Sequence, residues 1–208
     1  PAAMGVNEKT IPAIEGSHIK CLEILNQHFL HHPYLLGGHP SLADFGLIGP
    51  LFAHLGRDPV PASLMKNTAP HVYRWTERMF EANLRDGEFM KLDYEFPANG
   101  ALPETLIPFI EYLFRDCGPQ LQGMFATFNA WVAREPDRPA GTLIQTDPKA
   151  PIGAHPELGN FDFELHGVTI HSKALRNVVH HFQRVVDVID TLDENGKAAF
   201  DSLMTRTG

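Results

Sequence analysis

The sequence predicts an all-α fold, a helical bundle with one minor β-hairpin near residues 161–170. Three observations carry that expectation. Apolar residues recur at helical spacing over most of the chain. A Ser-x-x-Asp box, Ser41 to Asp44, opens one of those stretches as a helix-start signal. Only Phe161 to Leu165 alternates apolar with acidic residues as a half-buried strand does.

Taken in order, the first helix spans about Ile11 to Phe29, with Ile14, Cys21, Leu22, Leu25 and Phe29 as its apolar stripe. Thr10 is its expected N-cap, Pro12 sits where a missing N–H costs little, and Pro33 with Gly37-Gly38 ends it in a turn. At the second helix, Ser41 and Asp44 can each bond the other's backbone N–H. Pro40 and Phe45 take the two staple positions, and Leu47, Ile48, Leu51, Phe52 and Leu55 predict a helix that lies inside. Gly56, Pro59 and Pro61 are expected to close it. A third helix starts at Pro70, with Val72, Trp75 and Met79 inward and Arg74, Glu77, Arg78 and Glu81 on its other faces.

Residues 87–100 are expected to be a surface connection. A long helical stretch follows from Pro103 to about Arg134, with Leu106, Phe109, Ile110, Leu113, Phe114, Leu121, Met124, Phe125, Phe128 and Trp131 apolar. Gly118-Pro119 should break or kink it. Prolines 136, 139, 148, 151 and 156 mark a loop, in which Thr142 to Ile144 is a candidate short strand. Phe161–Leu165, a His166-Gly167 turn and Val168–Ile170 form the expected hairpin. A helix from about Lys173 to Leu192 and a shorter one from Asp193 to Met204 complete the chain. The division this implies is a helical core over 1–134, a Pro-rich loop with the small β element over 135–172, and a C-terminal helix over 173–208 packing on the same core.

The chain has 208 residues, with 17 Lys and Arg against 25 Asp and Glu, a formal charge of −8. That balance excludes the basic footprint of a nucleic-acid binder and disfavours docking on an anionic membrane. Two cysteines make no disulfide framework, no apolar run of about 18 residues exists, and the first residues lack a secretory pattern. A cytoplasmic location is the resulting expectation. The chain opens on Pro1, so it is expected to be processed or a piece of something longer. Hydrolase, NTPase and dinucleotide-binding motifs have no match.

The run from His32 to Asp44 (HPYLLGGHPSLAD), the apolar stripe to Leu55, and Ala69-Pro70 leading to Trp75 together resemble the C-terminal all-helical domain of glutathione transferases. The resemblance covers about Ile11 to Met79. It implies an apolar helix, a Leu-Gly turn, a capped central helix and a following helix with an inward Trp. In that family a thioredoxin-like domain of about 80 residues activates the glutathione thiol, and the helical domain shapes the electrophile pocket. Only about 40 residues precede the box in this chain, without strand–helix–strand alternation. The resemblance therefore implies the helical, electrophile-pocket half of a protein whose parent reaction transfers the glutathione thiol to an electrophile. The chain on its own is expected to be inactive. Glutathione is then a co-substrate of the parent rather than a resident cofactor, and a homodimer or the missing thioredoxin-like domain is a possible partner. The alternative is a non-catalytic interaction module built on the same fold.

No catalytic residue is assigned. Ser41 and Asp44 are read as a structural capping box rather than as a reactive pair. Tyr112 and Arg115, at i and i+3 with polar tips, are either a solvent-facing pair or substrate-binding groups for an apolar, anionic ligand. His28, His31 and His32 near a helix end are read as surface residues complementing the helix dipole, and no metal site is expected. His180 and His181 point about 100° apart on a helix, and His155 and His171 fall in or near loops. Cys21 is expected to be packed. Cys117 is either packed at a helix end or a thiol whose pKa Arg115 lowers.

Overall fold

The computed structural model describes residues 2–80, 87–92, 95–139, 141 and 157–207. The candidate strand at 142–144, His155 and Glu81 lie outside them. The fold is mostly helical with one two-stranded antiparallel sheet among the described residues. The chain divides into two compact units, Gly16–Tyr112 and Pro1–Glu15 with Leu113–Gly208.

The 16–112 unit is helical. Helix α1 (Ile11–His31) supplies Leu22, Leu25 and Phe29, all buried, as the expected stripe. Helix α2 (Leu42–Ile48) runs directly into a π-helical stretch, Gly49–Gly56. Pro50 enters that stretch near its start; it has no N–H to give and its ring crowds the carbonyl four residues back, so a wider turn accommodates it. Helix α3 (Pro59–Thr68) corrects the expectation that Pro59 and Pro61 only terminate what precedes them. Asp58 is its extended N-cap and the prolines occupy its first turn, where a missing N–H leaves nothing unpaired. Helix α4 (Pro70–Arg78) is capped across the unit: the Asn26 side chain of α1 accepts from the backbone N–H of His71 at 2.9 Å. The Phe29 and Trp75 rings stack at 4.9 Å and 12° to join α1 to α4.

Two further expectations are corrected in this unit. Arg78 is buried: its guanidinium donates to the Pro33 carbonyl at 2.9 Å and to Glu88 at 3.0 Å, and lies over the Phe89 ring. Glu88 also accepts from Arg74, so the described part of 87–100 is tied to α4 by a charge network rather than lying loose. The second helix is not inside either. Asp44 and Leu51 are buried, but Leu42 is 88% and Phe45 61% exposed. The stripe Asp44, Ile48, Leu51 and Leu55 faces the unit, and the opposite apolar side faces water. Helix α5 (Ile107–Tyr112) closes the unit.

In the other unit, α1 begins from a turn capped further upstream than expected. Asn7 Oδ1 accepts from the Lys9 N–H at 3.0 Å, and Thr10 Oγ1 accepts from the Asn7 N–H at 3.0 Å, so Asn7 is the cap and Thr10 the reciprocating residue. A π-helical turn, Leu113–Cys117, leads into helix α6 (Gly118–Ala133), so Gly118-Pro119 widens the helix without breaking it. Leu113 and Phe114 remain 40% exposed rather than joining the core.

Strands β1 (Glu157–Leu165) and β2 (Val168–Leu175) pair antiparallel, with Leu165 opposite Val168 and Asn160 opposite Lys173. The hairpin is longer than expected on both arms, and helix α7 (Arg176–Asp190) consequently starts at Arg176 instead of Lys173. His166 and Gly167 both have positive φ, 50° and 78°, the geometry that matches the twist of a two-residue hairpin. Leu165 and Ile170 bury against Ala13, with Ile14, Phe163 and Val168 around them. Phe161 lies so close over Gly123 of α6 that a Cβ there would come within 2.2 Å of the ring. Helix α8 (Glu194–Thr207) ends the described chain.

Candidate functional site

The box at the start of α2 is the best-built polar centre of the 16–112 unit. Asp44 is 0% exposed. Its Oδ2 accepts from the Ser41 N–H at 2.8 Å and from the Ser41 hydroxyl at 2.7 Å. Its Oδ1 accepts from the Leu35 N–H and from the Trp75 indole N–H, each at 3.0 Å. One carboxylate thus fastens the turn after α1, the start of α2 and the middle of α4. Burying a carboxylate is costly unless its lone pairs are met, and four donors meet them here. The box therefore does structural work beyond capping one helix. Sequence reasoning missed the Leu35 and Trp75 bonds. The signal was present: Asp44 stands at i, i+4, i+7 and i+11 with Ile48, Leu51 and Leu55, on the apolar stripe itself.

His28 corrects a second expectation. It is 0% exposed rather than a surface residue, and it too lies on a stripe, three residues from Leu25 and seven from Cys21. Its Nε2–H donates to the Tyr34 carbonyl at 3.1 Å, which leaves Nδ1 to accept from the Thr105 hydroxyl at 2.9 Å. Burial pushes its pKa down to about 4, only partly opposed by the Tyr34 carbonyl. Burial also lowers the pKa of His32 and of His18. No grouping of three His, Cys, Asp or Glu that could hold a metal occurs among the described residues.

Tyr112 and Arg115 have separate partners. The Tyr112 side chain is buried, its hydroxyl bonded to Ser17 Oγ at 3.1 Å and its ring stacked on Phe109. Arg115, with its side chain 57% exposed, donates from Nε to Asp116 Oδ1 at 2.7 Å. Asp116 is buried, and its Oδ2 is met by His166 Nε2 at 3.0 Å. The acid therefore ties the hairpin turn to the π-helical turn before α6. It also redirects Cys117: burial, and then the Asp116 charge, raise the thiol pKa, so Arg115 does not activate it. Cys21 is buried, as expected.

Residues 11–78 match the family described as glutathione S-transferase, C-terminal domain. No curated protein and no solved structure matches the chain. The matched segment contains the whole Asp44 centre: the Leu35 turn, the Ser41 box and Trp75. The similarity to a glutathione S-transferase C-terminal domain thus covers residues 11–78, about a third of the chain.

Proposed function

We propose that this chain serves as the helical, electrophile-pocket domain of a glutathione-transferase-like protein, whose parent reaction transfers the glutathione thiol to an electrophile. The observation that supports this reading is the match over 11–78 with the Asp44 centre inside it. Nothing in the described Asp44 centre ionises a thiol: its donors are all spent on one carboxylate. The chain alone is therefore expected not to conjugate. Of the two candidate binding residues, Tyr112 lies in the unit that holds residues 16–78 of the matched segment, and its buried ring is proposed to back the electrophile wall from behind. The test mixes the chain with glutathione and 1-chloro-2,4-dinitrobenzene and follows absorbance. The expected rate equals that without protein, and robust turnover would overturn the expectation that the chain alone is inactive.

A second reading, a non-catalytic interaction module, is favoured by one observation, the water-facing apolar side of α2 with Leu42 and Phe45. Copurification with one fixed partner, abolished by Phe45→Lys, would select it over the first.

A further inference from the structure

Under the hairpin turn, Asp116 holds an imidazole on one oxygen and a guanidinium on the other. His166 Nε2 lies 3.0 Å from its Oδ2, and Arg115 Nε lies 2.7 Å from its Oδ1. The three side chains differ in exposure: 1% for Asp116, 41% for His166 and 57% for Arg115. An ionised carboxylate only accepts, so the ring nitrogen facing it carries the hydrogen. Nε2–H therefore donates to Asp116, and the neutral ring keeps its lone pair on Nδ1. The bond to Asp116 is the one that His166 makes among the described residues, which leaves Nδ1 to the solvent side.

A buried acid that fixes the tautomer of a half-exposed imidazole makes the other ring nitrogen a nucleophile. Attack by Nδ1 on a carbonyl carbon turns the ring into a cation. Asp116, out of water, offsets that charge more strongly than a solvated acid would. Arg115, on the same carboxylate, supplies a cation for the oxygen that becomes negative. The π-helical turn that carries both residues also carries Leu113 and Phe114, each 40% exposed, so apolar carbon stands on the same turn. The hairpin holds its own contrast. His171 is paired with Asp162, but those side chains are 75% and 59% exposed, so that acid is screened by water.

The geometry points to His166 as a nucleophile for acyl transfer from small, uncharged aryl esters, with Asp116 as its positioning residue. Nδ1 bonds to the carbonyl carbon, the bond from that carbon to the aryl oxygen breaks, and the phenolate leaves. Water then attacks the acyl carbon, the carboxylate and one proton depart, and the lone pair returns to Nδ1. The site lies outside residues 11–78, uses no thiol and does not rest on the transferase reading. The test mixes the full chain with 4-methylumbelliferyl acetate, without added thiol, and follows the fluorescence of the released 4-methylumbelliferone. The native rate should exceed that of His166→Asn about tenfold. His171→Asn, which removes the solvated pair, should leave the native rate unchanged. In Asp116→Asn the side-chain oxygen stays with Arg115 and the amide donates to Nε2, which moves the ring hydrogen to Nδ1. That variant should fall to the His166→Asn rate, and a long-range nitrogen–proton spectrum should show His166 change from the Nε2–H to the Nδ1–H form. If it does not fold, the His166→Asn rate and the native spectrum decide. The inference is overturned if native and His166→Asn rates agree, if His171→Asn lowers the rate as much, if the native ring carries its hydrogen on Nδ1, or if a folded Asp116→Asn keeps the native rate.

Discussion

Asp44 and Asp116 are both buried carboxylates, one in each unit, and they are satisfied in opposite ways. Asp44 is met by two backbone N–H groups, a hydroxyl and an indole, all neutral. Asp116 is met by a guanidinium and an imidazole whose side chains are 57% and 41% exposed. Neutral donors on rigid segments satisfy a buried charge without bringing a second charge out of water, and they convert one side chain into a joint between three segments. Partners that reach in from solvent lose less on leaving, because water takes their place and screens the charge. The buried acid of the family segment is therefore a keystone, and the acid under the hairpin is a clasp.

The largest expected effect comes from breaking the keystone. Asp44→Asn keeps the shape but turns one acceptor into a donor that faces N–H or O–H groups, and should cost about 4 kcal/mol. Urea unfolding measures it. A loss below about 1 kcal/mol would mean that the four bonds are not doing what their geometry implies.

The next effect is specific to the 16–112 unit and depends on pH. With a folded-state pKa of about 4 against an ordinary 6.5, His28 binds its proton less readily folded than unfolded. Its neutral form thus contributes stability that is full above about pH 6.5 and is lost progressively as the pH falls toward 4. The total is about 3 kcal/mol. His18 and His32, lowered in the same direction, add to the slope. Unfolding free energies at pH 7 and pH 5 should differ clearly in the native chain and much less in His28→Gln. Equal slopes in the two proteins would assign the acid sensitivity elsewhere.

The smallest effect sharpens the contrast from the other side. His166→Asn retains a residue that tolerates positive φ, so the hairpin turn survives, but it gives up the Asp116 bond. The expected cost is about 1 kcal/mol, seen as faster hydrogen exchange in β1 and β2. A loss as large as that of Asp44→Asn would erase the distinction between keystone and clasp.

Much of this was legible in the residues. The stripe of α1, the Ser41–Asp44 box and the His166-Gly167 turn are local signals, set by spacing within a few positions, and the structure places all three where that spacing puts them. The Trp75 bond of Asp44 and the His166 bond of Asp116 were not legible, because bonds spanning 31 and 50 residues leave no trace in local periodicity. Polar residues on apolar stripes could have been recognised. His28 and Arg78 were each assigned outward roles by their chemistry, although their positions placed them inward, and Asp44 was assigned a capping role alone. The π-helical turns were hidden for another reason: a proline inside an apolar run reads equally as a stop or as a widened turn, and only the surrounding packing decides.

The chain holds two tryptophans, and the fold has put one in each unit. Trp75 is enclosed with its indole proton on a carboxylate, while Trp131 sits on α6 beneath the Arg138 guanidinium, 5.0 Å from its ring centre. Their surroundings differ enough that the two indole proton resonances should separate in a nitrogen-edited spectrum. Each would then act as a native beacon, so melting of either half could be followed without a label or an added dye.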